Sequence, residues 1–285
     1  MTLQTNTHLE APKNIPRSLD GLAVSEAIYW EKYYEASETI YEWNNGILEE
    51  KRVSDHLNVL MYIWFLKILD HFLEVYPIAK IAALEMGFRF TSAQKNVIRR
   101  PDLGIVLNHN LVSLEPDDCT YKGIFDLCVE ALSTSTSDII KRDTVAKKAE
   151  YANAGVKEYY ILDAGPDMGF YHLNAHGIYI PIRPTKDGII KSKVLPGFQF
   201  RQDDFYKQLT NNQMIENPVY QGFVLPDYQE AKRKAKEEKQ RADQEKQRAE
   251  QNALEAKQAK QQVKEAEAEI VRLKSLLATQ DNTKR

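Results

Sequence analysis

Cysteine is scarce in this chain: Cys119 and Cys128 stand alone among 285 residues, and they are not spaced as C-x-x-C. That spacing gives no disulfide framework or zinc site, and it fits a reducing cytoplasm, the expected compartment. Long apolar runs are missing too. The most apolar helix candidate, Val59 to Leu69, is too short to span a bilayer and contains Lys67, so no membrane partner is expected. The first residues lack a basic stretch followed by an apolar run, so no signal peptide is expected. An excess of positive charge is also absent. The formal net charge is -3, so nucleic-acid affinity has to come from local patches. There is no Walker loop, no G-x-G-x-x-G and no G-x-S-x-G, which leaves nucleotide-driven and serine-hydrolase chemistry without support. His56, His71, His109, His172 and His176 form no metal-ligand spacing.

What remains is a chain long enough for one well-cored domain plus an appendage. Residues 1–20 are polar and carry Pro12 and Pro16, and read as a flexible arm. Ser25 can cap a short helix to about Glu35. Asn44-Asn45-Gly46 between two β-prone runs predicts a hairpin. Asp55 can cap a helix from His56 to about Val75, whose apolar residues recur at helical spacing. Strands are predicted over Ile78–Phe90, Asp102–Leu107 and Ile124–Leu132, then a helix from about Ser137 to Ala154 with Gly155 as its cap. Glu158–Leu162, Gly169–Leu173 and Gly177–Ile182 read as further strands. The alternation predicts an α/β or α+β domain over residues 21–212. Pro218 and Pro226 then mark a linker over 213–227.

The composition changes from about Tyr228 to Lys, Glu, Gln, Arg and Ala. Residues 228–279 read as one long charged helix and 280–285 as a disordered tail. Ala235, Ala242, Ala249, Ala256, Val263, Ile270 and Leu277 recur every seven residues. The matching d positions turn apolar late, at Ala259, Ala266 and Leu273. A coiled coil making a homodimer or higher oligomer is the expectation. A solvated single helix held by i,i+4 charge pairs is the alternative.

Chemistry concentrates between Arg99 and Asp163. Asp102 opens a strand-like run after Pro101, and Glu130 ends the apolar run Phe125–Val129. A buried acid is costly unless it is paired or binds metal. If their strands are neighbours, the two carboxylates can converge on one divalent ion such as Mg²⁺, which suits phosphodiester cleavage. Asp143, Lys147 and Tyr151 follow at i,i+4 steps on one helix face. Lys147 could then orient or deprotonate an attacking water, or stabilise the developing charge. The bland alternative is a structural Glu130–Lys147 salt bridge.

The order Pro101-Asp102, Glu130-x-Leu132-Ser133, Asp143, Lys147, Tyr151, Gly155-Val156 and Glu158-Tyr159 resembles the Uma-type family of restriction-endonuclease-like proteins. That family is placed within the PD-(D/E)xK nuclease superfamily. The resemblance covers roughly Ser25 to Leu209. It includes the Tyr41-Glu42 hairpin with Gly46, His56 at the start of the long helix, and Leu195-Pro196-Gly197-Phe198. It implies a mixed β-sheet core flanked by helices and Mg²⁺-dependent cleavage of DNA, with Mn²⁺ able to stand in. Carried over, Asp102 and Glu130 become the metal-binding acids, and Ser133, Asp143, Tyr151 and His56 support them. The superfamily's lysine two residues after the glutamate is replaced by Leu132, and Lys147 is the candidate substitute. Thr134 stands where a proline is frequent, and the stretch from Thr134 to Ile140 is longer than the family's before Asp143, with Asp138 as another local acid. These departures motivate the rival reading, a catalytically degenerate nuclease fold that binds DNA or protein. Glu85 or Glu49 could add a third acid. Arg99-Arg100, with Lys95 upstream, could contact a DNA backbone or form a solvated loop. Tyr159-Tyr160 reads as core rather than as a base-stacking platform.

Overall fold

The computed structural model describes residues 18–133 and 136–282, with side chains to Lys274. Most of the expected arm, Thr134 and Ser135 of the extended stretch, and residues 283–285 of the tail lie outside the described residues. Among the described residues no helix is long and apolar enough to cross a membrane, and Cys119 and Cys128 are unpaired.

The chain begins with α1 (Glu26–Tyr29), capped by the Ser25 hydroxyl and continued by a π-helical turn over Trp30–Tyr34. The hairpin of β1 (Tyr41–Asn44) and β2 (Ile47–Glu50) follows. Asn45 and Gly46 both take left-handed backbone, with φ of 48° and 98°, as a tight two-residue turn requires. In α2 (His56–Val75) the Asp55 carboxylate accepts the N–H groups of Leu57 and Asn58. Next come β3 (Ala79–Ala82), β4 (Gly87–Ser92), β5 (Lys95–Arg99), β6 (Leu103–Leu107), β7 (Thr120–Tyr121) and β8 (Leu127–Ala131). The helix expected after β8 is α3 (Ser137–Lys141), a π-helical turn over Arg142–Lys147, and α4 (Lys148–Ala154), closed by Gly155 at φ 89°. Then follow β9 (Glu158–Leu162), β10 (Gly169–Leu173), β11 (Tyr179–Pro181), β12 (Ile189–Lys191) and β13 (Gln199–Arg201). The short helices α5 (Asp204–Lys207) and α6 (Asn211–Ile215) precede α7 (Pro226–Asn282).

Two mixed sheets form, in the orders β2-β1-β5-β4-β7 and β11-β10-β9-β8-β6-β3, beside the β12–β13 pair. The second sheet has a core on each face. Leu127 and Val129 of β8 join α2 on one side, while Cys128 and Leu132 join Tyr151 of α4 on the other. Strand alternation therefore points Glu130 toward α4. On the α2 side, the Phe65 ring meets Tyr160, Phe198 and Phe200 edge-on at 6.0, 5.8 and 5.7 Å.

Two boundaries differ from the sequence reading. The strand expected over Ile78–Phe90 is two strands in different sheets, because Leu84 and Glu85 turn the chain with φ of 56° and 57°. The stretch expected as a linker is largely core. Met214, Ile215, Val219, Tyr220, Phe223 and Val224 are buried in the α2-side cluster, and the first compact unit runs to Val224. The apolar pairs at 214–215, 219–220 and 223–224 follow helix-like steps that Pro218 obscures.

The second unit contains α7. It is a single helix of roughly 85 Å at 1.5 Å per residue, laced by pairs such as Glu230–Lys234 at 3.2 Å and Arg233–Glu237 at 3.2 Å. Val263, Ile270 and Leu273 of the heptad seam are exposed, and the Leu277 side chain lies outside the described residues.

Candidate active site

Asp102 and Glu130 meet because β6 and β8 are antiparallel neighbours. Leu103 pairs with Val129 and Gly104 with Cys128, and one step further along that register sets Asp102 opposite Glu130. The Ala131 N–H donates to Asp102 Oδ2 at 2.6 Å and fixes the carboxylate across the two strands. Its other oxygen, Oδ1, lies 2.8 Å from Lys51 Nζ. Glu130 Oε2 and Glu85 Oε1 approach the same ammonium at 3.5 and 3.9 Å. Three carboxylates thus converge on one positive charge.

A second ammonium holds the opposite side. Lys147 Nζ lies 3.1 Å from Glu130 Oε1, 3.2 Å from Glu42 Oε1 and 3.0 Å from Asp143 Oδ1. The Tyr151 hydroxyl donates to Glu130 Oε1 at 3.0 Å. Asp143, Lys147 and Tyr151 share one face, as the helical spacing predicts, and the packing of that helix sets the face over Glu130. The π-helical turn carries both Asp143 and Lys147, and such turns recur at functional sites. Ser133 lines the same cavity and donates to the Val53 carbonyl at 3.1 Å. His56, exposed at the start of α2, does not line it.

Burial and charge set the protonation states. Burial pushes the Glu130 carboxyl up, to about 7, against the pull of Lys147 and Lys51 and with help from Asp102 and Asp143. Burial also opposes the Glu42 carboxylate, yet Lys147, Arg99 and Lys51 hold it well below the usual range. The Lys147 and Lys51 ammonium groups are held above theirs, despite burial, by the acids around them. An ammonium held so firmly does not take a proton from water. Lys147 therefore carries its positive charge in this structure.

Sequence reasoning misses Lys51 altogether and takes Glu42 only as part of the hairpin. Glu42 sits between Tyr41 and Trp43 on a strand, the same costly placement that singles out Glu130, so that signal is readable. Lys51, in the run Glu49-Glu50-Lys51-Arg52, carries none. The solvated-loop reading of Arg99-Arg100 is corrected, and Arg99 is too buried to reach a DNA backbone: Arg99 ends β5, and both side chains are engaged within the fold. Arg99 is fully buried and paired with Glu42, Glu49 and Glu150. Arg100 donates to the carbonyls of Glu85 and Tyr34 and stacks on the Tyr34 ring at 4.5 Å. Glu49 belongs to the Arg99 network, whereas Glu85 faces Lys51.

The donor set suits a hard divalent cation, because anionic oxygens of Asp102 and Glu130 already share one cationic partner. As placed, the acids are held by ammonium groups. Among the described residues no group of three or more His, Cys, Asp and Glu sits as a ready metal cage. The cavity between them is about 10 Å³, at the lower limit for one water. Beside it lies a groove of about 780 Å³ between β2 and the α3 segment, sharing Arg52, Ile139 and Arg142 with the cavity.

The model of a family named Uma2, described as "putative restriction endonuclease", matches residues 29–203. A solved structure of a "putative nuclease" from Anabaena variabilis is 12% identical, with a TM-score of 0.46, covering 61% of this chain and 93% of that one. A comparison with curated proteins finds no match.

Proposed function

The chain belongs to the Uma2 family, and from that membership and the geometry above we propose that it is a metal-dependent endonuclease hydrolysing DNA phosphodiester bonds in the cytoplasm. The observation that carries this reading is the convergence of Asp102 and Glu130 on a single cation position, with Lys147 opposite. Those two acids would hold Mg²⁺ or Mn²⁺. The ion supplies charge neutralisation at phosphate and an acidified water. Lys147 fixes Glu130 and adds positive charge where the oxyanion develops. The groove beside β2 offers Arg52, Lys141 and Arg142 to the strand backbone. The test is conversion of supercoiled plasmid with Mg²⁺ or Mn²⁺ against an EDTA control. No conversion with either ion, on several unrelated plasmids, would count against the activity.

A second reading has its own observation: Lys51 fills the cation position, and Leu132 replaces the usual lysine. A degenerate fold would use that ammonium permanently and bind DNA or protein without cutting. Calorimetric titration with Mn²⁺ separates the two readings. Lys51→Met removes a charge that competes for the acids, so it should tighten Mn²⁺ binding by at least ~10-fold, about 1.4 kcal/mol at these distances. Binding absent from wild type and variant alike would favour the degenerate module.

Oligomerisation through α7 belongs to the same proposal. A lone helix that exposes Val263, Ile270 and Leu273 on one seam gains by pairing with a second copy. Two active sites could then face opposite strands of a duplex. A chain ending at Val224 should run as a monomer by light scattering, while the full chain runs as a dimer or larger. Equal masses per protomer would remove the arm's role in assembly.

A further inference from the structure

A second pocket, of about 450 Å³, shares Asp102, Arg52 and Ala131 with the acid cluster. Its volume lies in the usual small-molecule range of roughly 300–1,000 Å³. Ile40, Val53, Val59, Leu84 and Tyr62 give it a largely apolar wall. Three features of its lining set this pocket apart. Leu84 and Val53 are 92% and 88% exposed, so two branched apolar side chains stand in solvent on one rim. Leu84 and Glu85 both hold left-handed backbone, which leucine disfavours and which persists where the surroundings impose it. Glu85 Oε2 is buried without a hydrogen-bond partner. Tyr62 ties the pocket to the acids, since its hydroxyl donates to the Asp102 carbonyl at 3.2 Å.

We propose that this pocket receives a nucleobase unstacked from the strand whose phosphate lies at Asp102 and Glu130, with Leu84 as the wedge that takes the base's place in the stack. The inference rests on the endonuclease reading and deepens it to a substrate class. A ligand for this place meets an apolar wall on one side and, next to it, the Arg52 guanidinium, which lies 3.2 Å from Glu50 Oε1. A nucleotide suits both. Its base packs against Tyr62 and the aliphatic wall, and its phosphate meets the Arg52 guanidinium. The unpartnered Glu85 oxygen accepts an N–H from the base edge. An apolar side chain inserted at a base step is a known means of unstacking DNA. Unstacking is easiest where pairing is already lost, so the preferred substrate is DNA with a mismatched or single-stranded nucleotide at the cut.

The test uses the full chain with duplexes carrying 2-aminopurine, paired or mismatched, whose emission rises on unstacking. Ca²⁺ is supplied for the emission reading and Mn²⁺ for the cleavage reading. Leu84→Gly is the variant, since glycine suits the left-handed position and the change should leave Tm unchanged or higher. Emission should rise in wild type and stay largely flat in Leu84→Gly. Mismatched duplex should be cut roughly tenfold faster than matched duplex by wild type, matching the worth of one stacked base, and the preference should vanish in the variant. Flat emission in wild type overturns the inference, even if the strand is cut. An equal rise in wild type and variant overturns the wedge. Rising emission without cleavage supports the inference and counts against the endonuclease reading alone.

Discussion

Asp102→Asn and Glu130→Gln are each expected to lower Mg²⁺-dependent plasmid nicking by at least ~100-fold, the scale of losing one preorganised electrostatic partner at a reacting centre. Both changes keep the shape of the side chain and remove its ability to become negative. In the first, the Ala131 N–H keeps an acceptor at position 102. In the second, Lys147 and Tyr151 keep a carbonyl oxygen at position 130. The fold should therefore survive, as a circular-dichroism melt can show. Full activity in either variant would remove that residue from the site. Glu130→Gln carries a second signature, in stability without divalent ions. The Glu130 carboxyl titrates near 7 in the folded chain and near its ordinary 4.5 when unfolded. The folded state therefore binds more protons between those values. Its contribution is fully present below about pH 4.5 and is lost as pH rises through about 7. Glutamine has no proton to lose, so the variant's melting temperature should fall less than that of wild type across this window. Parallel curves would mean that Glu130 is ionised throughout.

Much of this arrangement is legible in the sequence, and the parts that are not share a cause. The Asn45-Gly46 turn, the Gly155 cap and the bounds of β9 and β10 follow from local rules that few residues satisfy. The placement of Asp102, Glu130, Lys147 and Tyr151 follows from strand alternation and helical spacing once β6 and β8 are neighbours. The break at Leu84 and Glu85 does not, because no glycine, proline or asparagine marks it. The sheets on either side demand that turn, and local propensity opposes it. Lys51 is hidden for a similar reason. It follows β2, and only the meeting of two sheets brings its ammonium to Asp102 just before β6, to Glu130 on β8 and to Glu85. The core residues from Met214 to Val224 are masked by Pro218, whose meaning as a linker signal is statistical, whereas the burial of Tyr220 and Phe223 is decided by α2.

Arg99→Met should cause the largest loss of stability in the domain. Arg99 is fully buried on β5, with Glu42 at 3.0 Å, Glu150 at 2.7 Å and Glu49 also paired to it. Glu42 and Glu150 are themselves buried. Its burial would favour loss of charge, yet the three acids hold the guanidinium well above its ordinary range. Methionine fills comparable apolar space but leaves the carboxylates facing one another without a counter-charge. Removing one partner from a buried ion network costs about 3–5 kcal/mol. For a domain of this size that is a fall in melting temperature of roughly 6–20 °C. Lys95 still reaches Glu150 at 3.0 Å, and Lys147 still reaches Glu42 at 3.2 Å, which places the loss nearer the lower figure. Adding Glu150→Gln to Arg99→Met should recover part of it, because one uncompensated charge then disappears. Arg99 also holds the Glu42 carboxylate that pairs with Lys147, so metal binding at Asp102 and Glu130 should weaken in the single variant even well below its melting temperature. A melting temperature within about 2 °C of wild type, less than ~1 kcal/mol on this scale, would mean that water reaches the three carboxylates. The network would then be a solvated surface cluster rather than the support beneath the site.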